Sequence, residues 1–330
     1  IPGSLVGSEM CIRDSKAPLK KLQGRGYASG FWFNAGGESS AQVNITEDGN
    51  VVVTTGHPDI GGSRASIANI TAELLGIDVN RVSVLIGDTA TIGFSNLTGG
   101  SRVLFASALV VTESTNQVID ILKDRASKIW NIDKEAIEWE KGEARPAGDK
   151  AGKFKPLSLV ELAEQATPTG GPIGAGHQVN TVGAEGGFAT HICDVEVDIE
   201  LGIARVIRYT AAQDVGKAIH PAYVEGQLQG GVVQGIGWAL NEEYIYNKEG
   251  KLDNPGFLDY RIPVCSDLPM IDTILVEVPN PQHPQGVRGV GEVPIVPPLS
   301  AIANAIYNAI GTRFYSLPMS PPKVLEKISD

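Results

Sequence analysis

Apolar and polar positions fall into two repeating rhythms along the chain. Period-two runs over 27–34, 41–46 and 51–55 predict strands, and Asp48, Gly49 and Asn50 between the last two predict a tight hairpin turn. After a glycine-containing loop at 56–63, Ile67, Ile70, Leu74 and Leu75 recur at helical spacing, so a helix is expected over about 64–76, stopped by Gly76. A strand at 81–86 leads to the small-residue loop TGGS at 98–101. A long helix then opens near 102, with Ser101 as its expected N-cap, and runs to about 125. Residues 140–156 read as a loop and 157–165 as a short helix. Further strands are predicted at 190–199, 202–211, 242–247 and 271–278, and helices at 221–239, 299–311 and 322–328. In the first of these strands Cys193, Val195 and Val197 alternate with Ile192, Asp194, Glu196 and Asp198, as in a half-buried strand. Strand–loop–helix cycles of this kind predict mixed α and β structure.

The Pro/Gly-rich stretch TPTGGPIGAG at 167–176 is the expected break between two halves, 16–166 and 167–330. Residues 1–15 lack periodicity, and Ser4–Ser15 resembles a translated sequencing adaptor. They are set aside as a non-native or disordered leader. A signal peptide does not fit, because no basic start precedes a long apolar stretch.

At 330 residues the chain can build one large core or two ordinary ones. A net charge of -11 repels phosphate backbones, and 6% aromatic residues leave little for base stacking, so nucleic acid is an unfavourable partner. Cys11, Cys193 and Cys265 form no CxxC pair and the five histidines are scattered, so a metal held by side chains has little support. No apolar run reads as a membrane span.

The 39 glycines are bunched. Four glycine loops stand out: GHPDIGGS (56–63), TGGS (98–101), QGGVVQGIG (229–237) and GVRGVGE (286–292). Backbone N–H groups in such loops can hold a phosphate or the edge of a heterocycle, although a turn or close helix packing is the readier explanation for any single one. None fits the dinucleotide or P-loop patterns. Gln227, Gln229 and Gln234 cluster at the third loop. A glutamine amide both donates and accepts, which suits a ring such as a pterin. Glu292 sits between Val290-Gly291 and Val293-Pro294-Ile295. An apolar setting raises a carboxyl pKa toward the range of a general base. A cap on the following helix, or an ion pair with Arg288, remains open for the same residue.

These strings together resemble the large subunit of molybdenum hydroxylases, the xanthine dehydrogenase and aldehyde oxidase family. Asp214–Leu240 is similar to the segment that wraps molybdopterin, Arg288-Gly289-Val290-Gly291-Glu292 to the loop ending in the catalytic glutamate, and 298–328 to the family's C-terminal end. His191 and Asp194–Asp198 fit a strand of the same family, and the resemblance covers about 24–330. It implies an α+β fold of two intertwined α/β sandwich-like subdomains that bind molybdopterin. It also implies hydroxylation of aldehydes or N-heterocycles with water-derived oxygen.

By the same resemblance Glu292 is the catalytic base. Gly99, Gly100, Ser101, Gln227, Gln234 and Gly235 contact the cofactor, and Arg288 borders the substrate pocket. The cofactor would be molybdopterin, as Mo-molybdopterin or its cytosine dinucleotide, with the metal held by the dithiolene. Iron–sulfur clusters and FAD would sit on other subunits or domains. The N-terminal half of the same large subunit, those subunits and a small-molecule substrate are the implied partners. The expected compartment is the cytoplasm, with the periplasm as the other setting. One departure stands out: Gly62, within Asp59-Ile60-Gly61-Gly62-Ser63, occupies the place of a glutamine that faces the metal in many members. The competing expectations are a degenerate homologue that serves subunit interaction and an unrelated α+β binding protein.

Overall fold

The computed structural model describes residues 19–87 and 92–329, without the side chains of residues 184 and 185. The leader assigned to 1–15 lies outside the described residues.

In chain order the described elements are β1 (Gln23–Asn34), β2 (Gly37–Ile45), β3 (Val51–Thr55), α1 (Ser63–Leu75), β4 (Val82–Ile86), α2 (Val103–Trp130), β5 (Ile137–Glu140), β6 (Glu143–Pro146) and β7 (Leu157–Ser158). They continue with α3 (Leu159–Glu164), α4 (Ala166–Thr169), β8 (Ile173–Thr181), β9 (Ala184–Asp198), β10 (Ile203–Asp214), α5 (Pro221–Leu240), β11 (Ile271–Val276), α6 (Val296–Ile310) and α7 (Pro321–Ser329). The chain forms two compact units, each discontinuous in sequence. Unit 1 holds the described residues up to Trp32 with Gly186–Val278 and Val290–Asp330, and unit 2 holds Phe33–Glu185 with Pro279–Gly289.

In unit 2 a sheet of order β4-β3-β2-β8 carries the hairpin of β2 and β3, with Ile45 opposite Val51. Val43, Val51 and Val53 from this sheet pack with Ile67 and Leu75 of α1 and with Val110, Val111, Val118 and Leu122 of α2. A small sheet, β5-β6-β7, spans 137–158; its strand β6 lies in the stretch read as loop and β7 at the start of the stretch read as helix. Ser158 and Glu161 form a reciprocal capping box that starts α3 two residues later than expected.

In unit 1 a sheet of order β1-β9-β10-β11 buries Cys193, Val195, Val197, Tyr209 and Ala211. They pack against Val232 and Ile236 of α5 and Ala301, Ile302, Ala305 and Ile306 of α6. The predicted alternation in β9 holds on its apolar side. Asp194 departs from it, being 5% exposed, because Arg25 Nε and Nη2 reach its two carboxylate oxygens at 2.6 and 2.7 Å.

Three expectations need correction. The division at 166/167 does not coincide with the units, because residues 173–181 form β8 and pair with β2 along its whole length. The composition misleads there: Gly174 and Gly176 lie opposite Asn44 and Gln42, and a Cβ would meet those side-chain amides. Residues 242–247 form no strand and make only an isolated bridge between Tyr246 and Leu252. Tyr244, Ile245 and Tyr246 are all exposed, so the segment has no buried face. Finally, Val293–Ile310 is long and apolar enough by composition to cross a membrane, contrary to the first reading. Ala301, Ile302, Ala305 and Ile306 are fully buried, so this segment is a core helix of unit 1.

Candidate cofactor-binding site

In unit 2 the candidate residues are those of the TGGS loop and Arg288. Gly100 has φ +63, and a Cβ there would lie 2.5 Å from Ala35 Cβ. Its carbonyl accepts from Ala35 N at 2.8 Å. A Cβ on Gly99 would lie 2.9 Å from Leu97 Cδ1. Ser101 has φ +53, in the left-handed region that costs a non-glycine residue about 1 kcal/mol. In this conformation Ser101 does not cap α2. Arg102 holds the N-cap position, with no side-chain cap bond.

The Arg102 side chain instead turns inward and is 2% exposed. Nε donates to Gly36 O at 2.5 Å, Nη1 to Asn96 O and Leu97 O at 3.1 and 3.2 Å, and Nη2 to Glu38 O and Ser39 Oγ at 2.8 and 3.0 Å. These bonds match the five donors of a guanidinium. Ser39 Oγ also lies 2.8 Å from His57 Nε2. Burial, with the Arg102 charge nearby, pushes the His57 pKa down to about 4, so its ring is neutral at physiological pH.

The loop that carries Arg288 is built beside the TGGS loop. Asn280 Nδ2 donates to Val287 O at 3.3 Å, and Gly289 N donates to Asn34 Oδ1 at 2.9 Å. Asn34 Nδ2 donates to Ser101 O at 3.3 Å. A Cβ on Gly289 would lie 2.6 Å from Ser101 Cβ, so glycine is required for this approach. Arg288 is 8% exposed.

In unit 1 the candidate residues are Gln227, Gln234, Gly235 and Glu292. The expected third glycine loop is not a loop but the middle of α5. Val224, Leu228, Val232 and Ile236 face the interior, while Gln227 is half-buried and Gly230 and Gln234 are exposed on another face. Gly235 is buried: a Cβ there would lie 2.6 Å from Pro298 Cβ, and one on Gly231 would lie 2.5 Å from Pro294 Cγ. Gly235 therefore faces the prolines around the start of α6, away from the glutamine face. Gln229, grouped with Gln227 and Gln234 by sequence, instead donates from Nε2 to Ile271 O at 3.3 Å.

Glu292 is half-buried and precedes the single 3-10 turn Val293–Ile295, its carbonyl accepting from Ile295 N at 3.3 Å. Gly231 and Gly235 let α5 lie directly on this turn and on Pro298. Gln213, missed by the sequence reading, is 1% exposed and donates from Nε2 to Val290 O at 3.4 Å. Its place on β10 gave no signal, because a buried glutamine and an exposed one look alike in a strand pattern.

Whether these residues fit a pterin can be judged from α5. A Cβ on Gly226 or Gly230 would meet nothing within 4 Å. Glycine inside a helix costs about 1 kcal/mol relative to alanine. Neither residue gains a packing contact within this chain in return, so the face they share with Gln227 and Gln234 leaves room for another group to approach. Amide donors and acceptors on a smooth helix face fit a heterocycle with both kinds of edge. Among the described residues no group of three or more His, Cys, Asp or Glu side chains could hold a metal ion. In the segment that departs from the family pattern, Gly61 and Gly62 have φ +61 and +78, a backbone that a glutamine would strain.

A family model described as the molybdopterin cofactor-binding domain matches residues 12–269, and the chain belongs to that family. It is 30% identical over 314 residues to the xanthine dehydrogenase molybdenum-binding subunit of Escherichia coli O157:H7, covering 91% of this chain and 41% of that protein. It is 29% identical to the aldehyde oxidoreductase molybdenum-binding subunit of Escherichia coli K12, covering 94% of this chain and 41% of that one. The crystal structure of quinoline 2-oxidoreductase from Pseudomonas putida 86 superposes with a TM-score of 0.83 at 25% identity, covering all of this chain and 44% of the other. The chain thus spans about two fifths of the length of the curated relatives it matches.

Proposed function

We propose that this chain is the cofactor-binding and base-bearing part of a molybdenum hydroxylase that oxidises aldehydes or N-heterocycles. The observation that carries the proposal is the face of α5 on which Gln227 and Gln234 flank glycines with open space above them. The relatives act on compounds of these classes: an aldehyde oxidoreductase, a xanthine dehydrogenase and a quinoline oxidoreductase.

Molybdopterin, when bound, supplies the metal and the two-electron oxidation of substrate. Gln227 and Gln234 orient it through amide hydrogen bonds, and Gly99, Gly100 and Ser101 do so through backbone and hydroxyl. Glu292 accepts a proton at a carboxylate oxygen as the water-derived oxygen becomes nucleophilic. Its fixed place before the 3-10 turn sets the direction from which that proton is taken. Arg288 borders the substrate. Gly235 acts indirectly, by seating the Pro298 end of α6. The rest of the large subunit, and subunits carrying iron–sulfur clusters and FAD, would complete the pocket and remove the electrons.

The test is Glu292→Gln in the full-length polypeptide that carries this chain, co-produced with its partner subunits. Bound molybdenum is expected to stay at the wild-type level while dye-linked oxidation of aldehydes and N-heterocycles falls by at least 100-fold, the usual scale for a lost general base. Unchanged turnover would remove Glu292 from the chemistry. Absence of both molybdenum and turnover in the unaltered protein would favour the non-catalytic reading.

A further inference from the structure

We propose that Asn34 is a positioning residue that ties the Ser101 loop to the Arg288 loop through the two ends of its side-chain amide. The proposal rests on the reading of Ser101 as a cofactor contact and Arg288 as a substrate neighbour.

Asn34 ends β1 and is 2% exposed. Its amide orientation is fixed by its neighbours. Gly289 N can only donate, so the atom 2.9 Å away must be Oδ1. Nδ2 then faces two carbonyls, Ser101 O at 3.3 Å and Ala35 O at 3.4 Å. The residues joined in this way are distant in sequence, Asn34 being separated from Gly289 by 255 in residue number and from Ser101 by 67.

Each bond acts at a strained or crowded point. Ser101 holds a left-handed backbone, and the bond to its carbonyl helps hold that peptide. Gly289 lacks a Cβ because Ser101 occupies that space. A buried amide that satisfies a donor on one loop and an acceptor on the other fixes their separation to hydrogen-bond tolerance. Neither a hydrophobic residue nor a carboxylate can do both. Asn34 touches neither cofactor nor substrate in this role. It acts through Ser101 on one side and through Arg288, next to Gly289, on the other.

The test compares Asn34→Ala with Asn34→Asp in the full-length polypeptide, by amide hydrogen exchange on cofactor-free protein and by molybdopterin retained per chain. Asn34→Ala removes both bonds. Exchange at Gly289 and across 98–103 is expected to rise about tenfold, with faster loss of molybdopterin and a raised KM at a less affected kcat. Asn34→Asp keeps an oxygen for Gly289 N–H but turns an acceptor toward Ser101 O. Gly289 should stay protected while 98–103 opens, a split that general destabilisation cannot produce. Asn34→Asp also serves should the alanine variant fail to fold. Unchanged exchange at both loops in either variant overturns the proposal. Faster exchange with molybdopterin retention at the wild-type level upholds the tie and removes Ser101 from the cofactor contacts.

Discussion

The Ser101 loop of unit 2 and the Glu292 turn of unit 1 are both built with glycine, yet they are held by different forces. The first is surrounded by hydrogen bonds: Arg102 on five acceptors and Asn34 on two loops. In the second, prolines 294 and 298 are pressed onto Gly231 and Gly235 of α5. Buried polar networks are directional and fail sharply when one member is lost. Close packing tolerates small shifts but resists added volume. The difference separates a loop fixed by directional bonds from a turn fixed by close packing.

The largest expected effect breaks the polar side of this comparison. Arg102→Leu would strand several buried carbonyls and Ser39 Oγ, costing about 4 kcal/mol of stability in denaturant unfolding. A cost under about 1 kcal/mol would show that water replaces the guanidinium and that the network does not hold the loop.

The packing side should yield less. Gly235→Val pushes a branched side chain into Pro298 and is expected to cost about 3 kcal/mol, the upper range for overpacking. Bound molybdopterin should fall with it if the α6 approach is displaced. A neutral outcome would mean the prolines move freely and Glu292 is set by something else.

Acidification tests both units together. Burial holds His57 at about 4 and His191 at about 3, against about 6.5 for a free side chain. The unfolded chain therefore takes up protons near pH 6.5 while the folded one does not. Stability is complete above pH 6.5 and drains as pH falls toward 4 for His57 and toward 3 for His191. Urea midpoints measured from pH 7.5 to 4.5 should decline, and His57→Gln should flatten the slope in that window. An equal slope in the variant would place the titration elsewhere.

The smallest effect carries an opposite sign. Gly230→Ala fills open space on α5 and should stabilise the cofactor-free chain by up to about 1 kcal/mol. If this face receives the pterin, the same change should lower molybdopterin retention. A gain in stability with full retention would leave the face without a ligand.

Much of the fold was legible in sequence, because period-two and helical patterns mark elements with one buried face. The β2–β3 hairpin, the buried side of β9 and the helix stopped by Gly76 followed from such patterns. β8 did not, since its glycines make room for Asn44 and Gln42 and so imitate a linker. Gly231 and Gly235 were visible as glycines, but not as a seat for prolines about 60 residues downstream. Gln227, Gln234 and Glu292 were legible as candidates through family strings. Asn34, Arg102 and Gln213 were not, because their importance lies in long-range partners that leave no local pattern.

The discontinuity of unit 1 has a consequence for how the chain matures. Arg25 N bonds to Asn308 Oδ1, a separation of 283 residues, and β1 shares its core with α6. Contacts so distant in sequence close slowly, because loop entropy is lost before they form. During synthesis β1 meets its sheet partner β9 only after the first segment of unit 2 has emerged, and its contact with α6 forms later still. Unit 1 therefore completes its core only after the Phe33–Glu185 segment of unit 2 has been made.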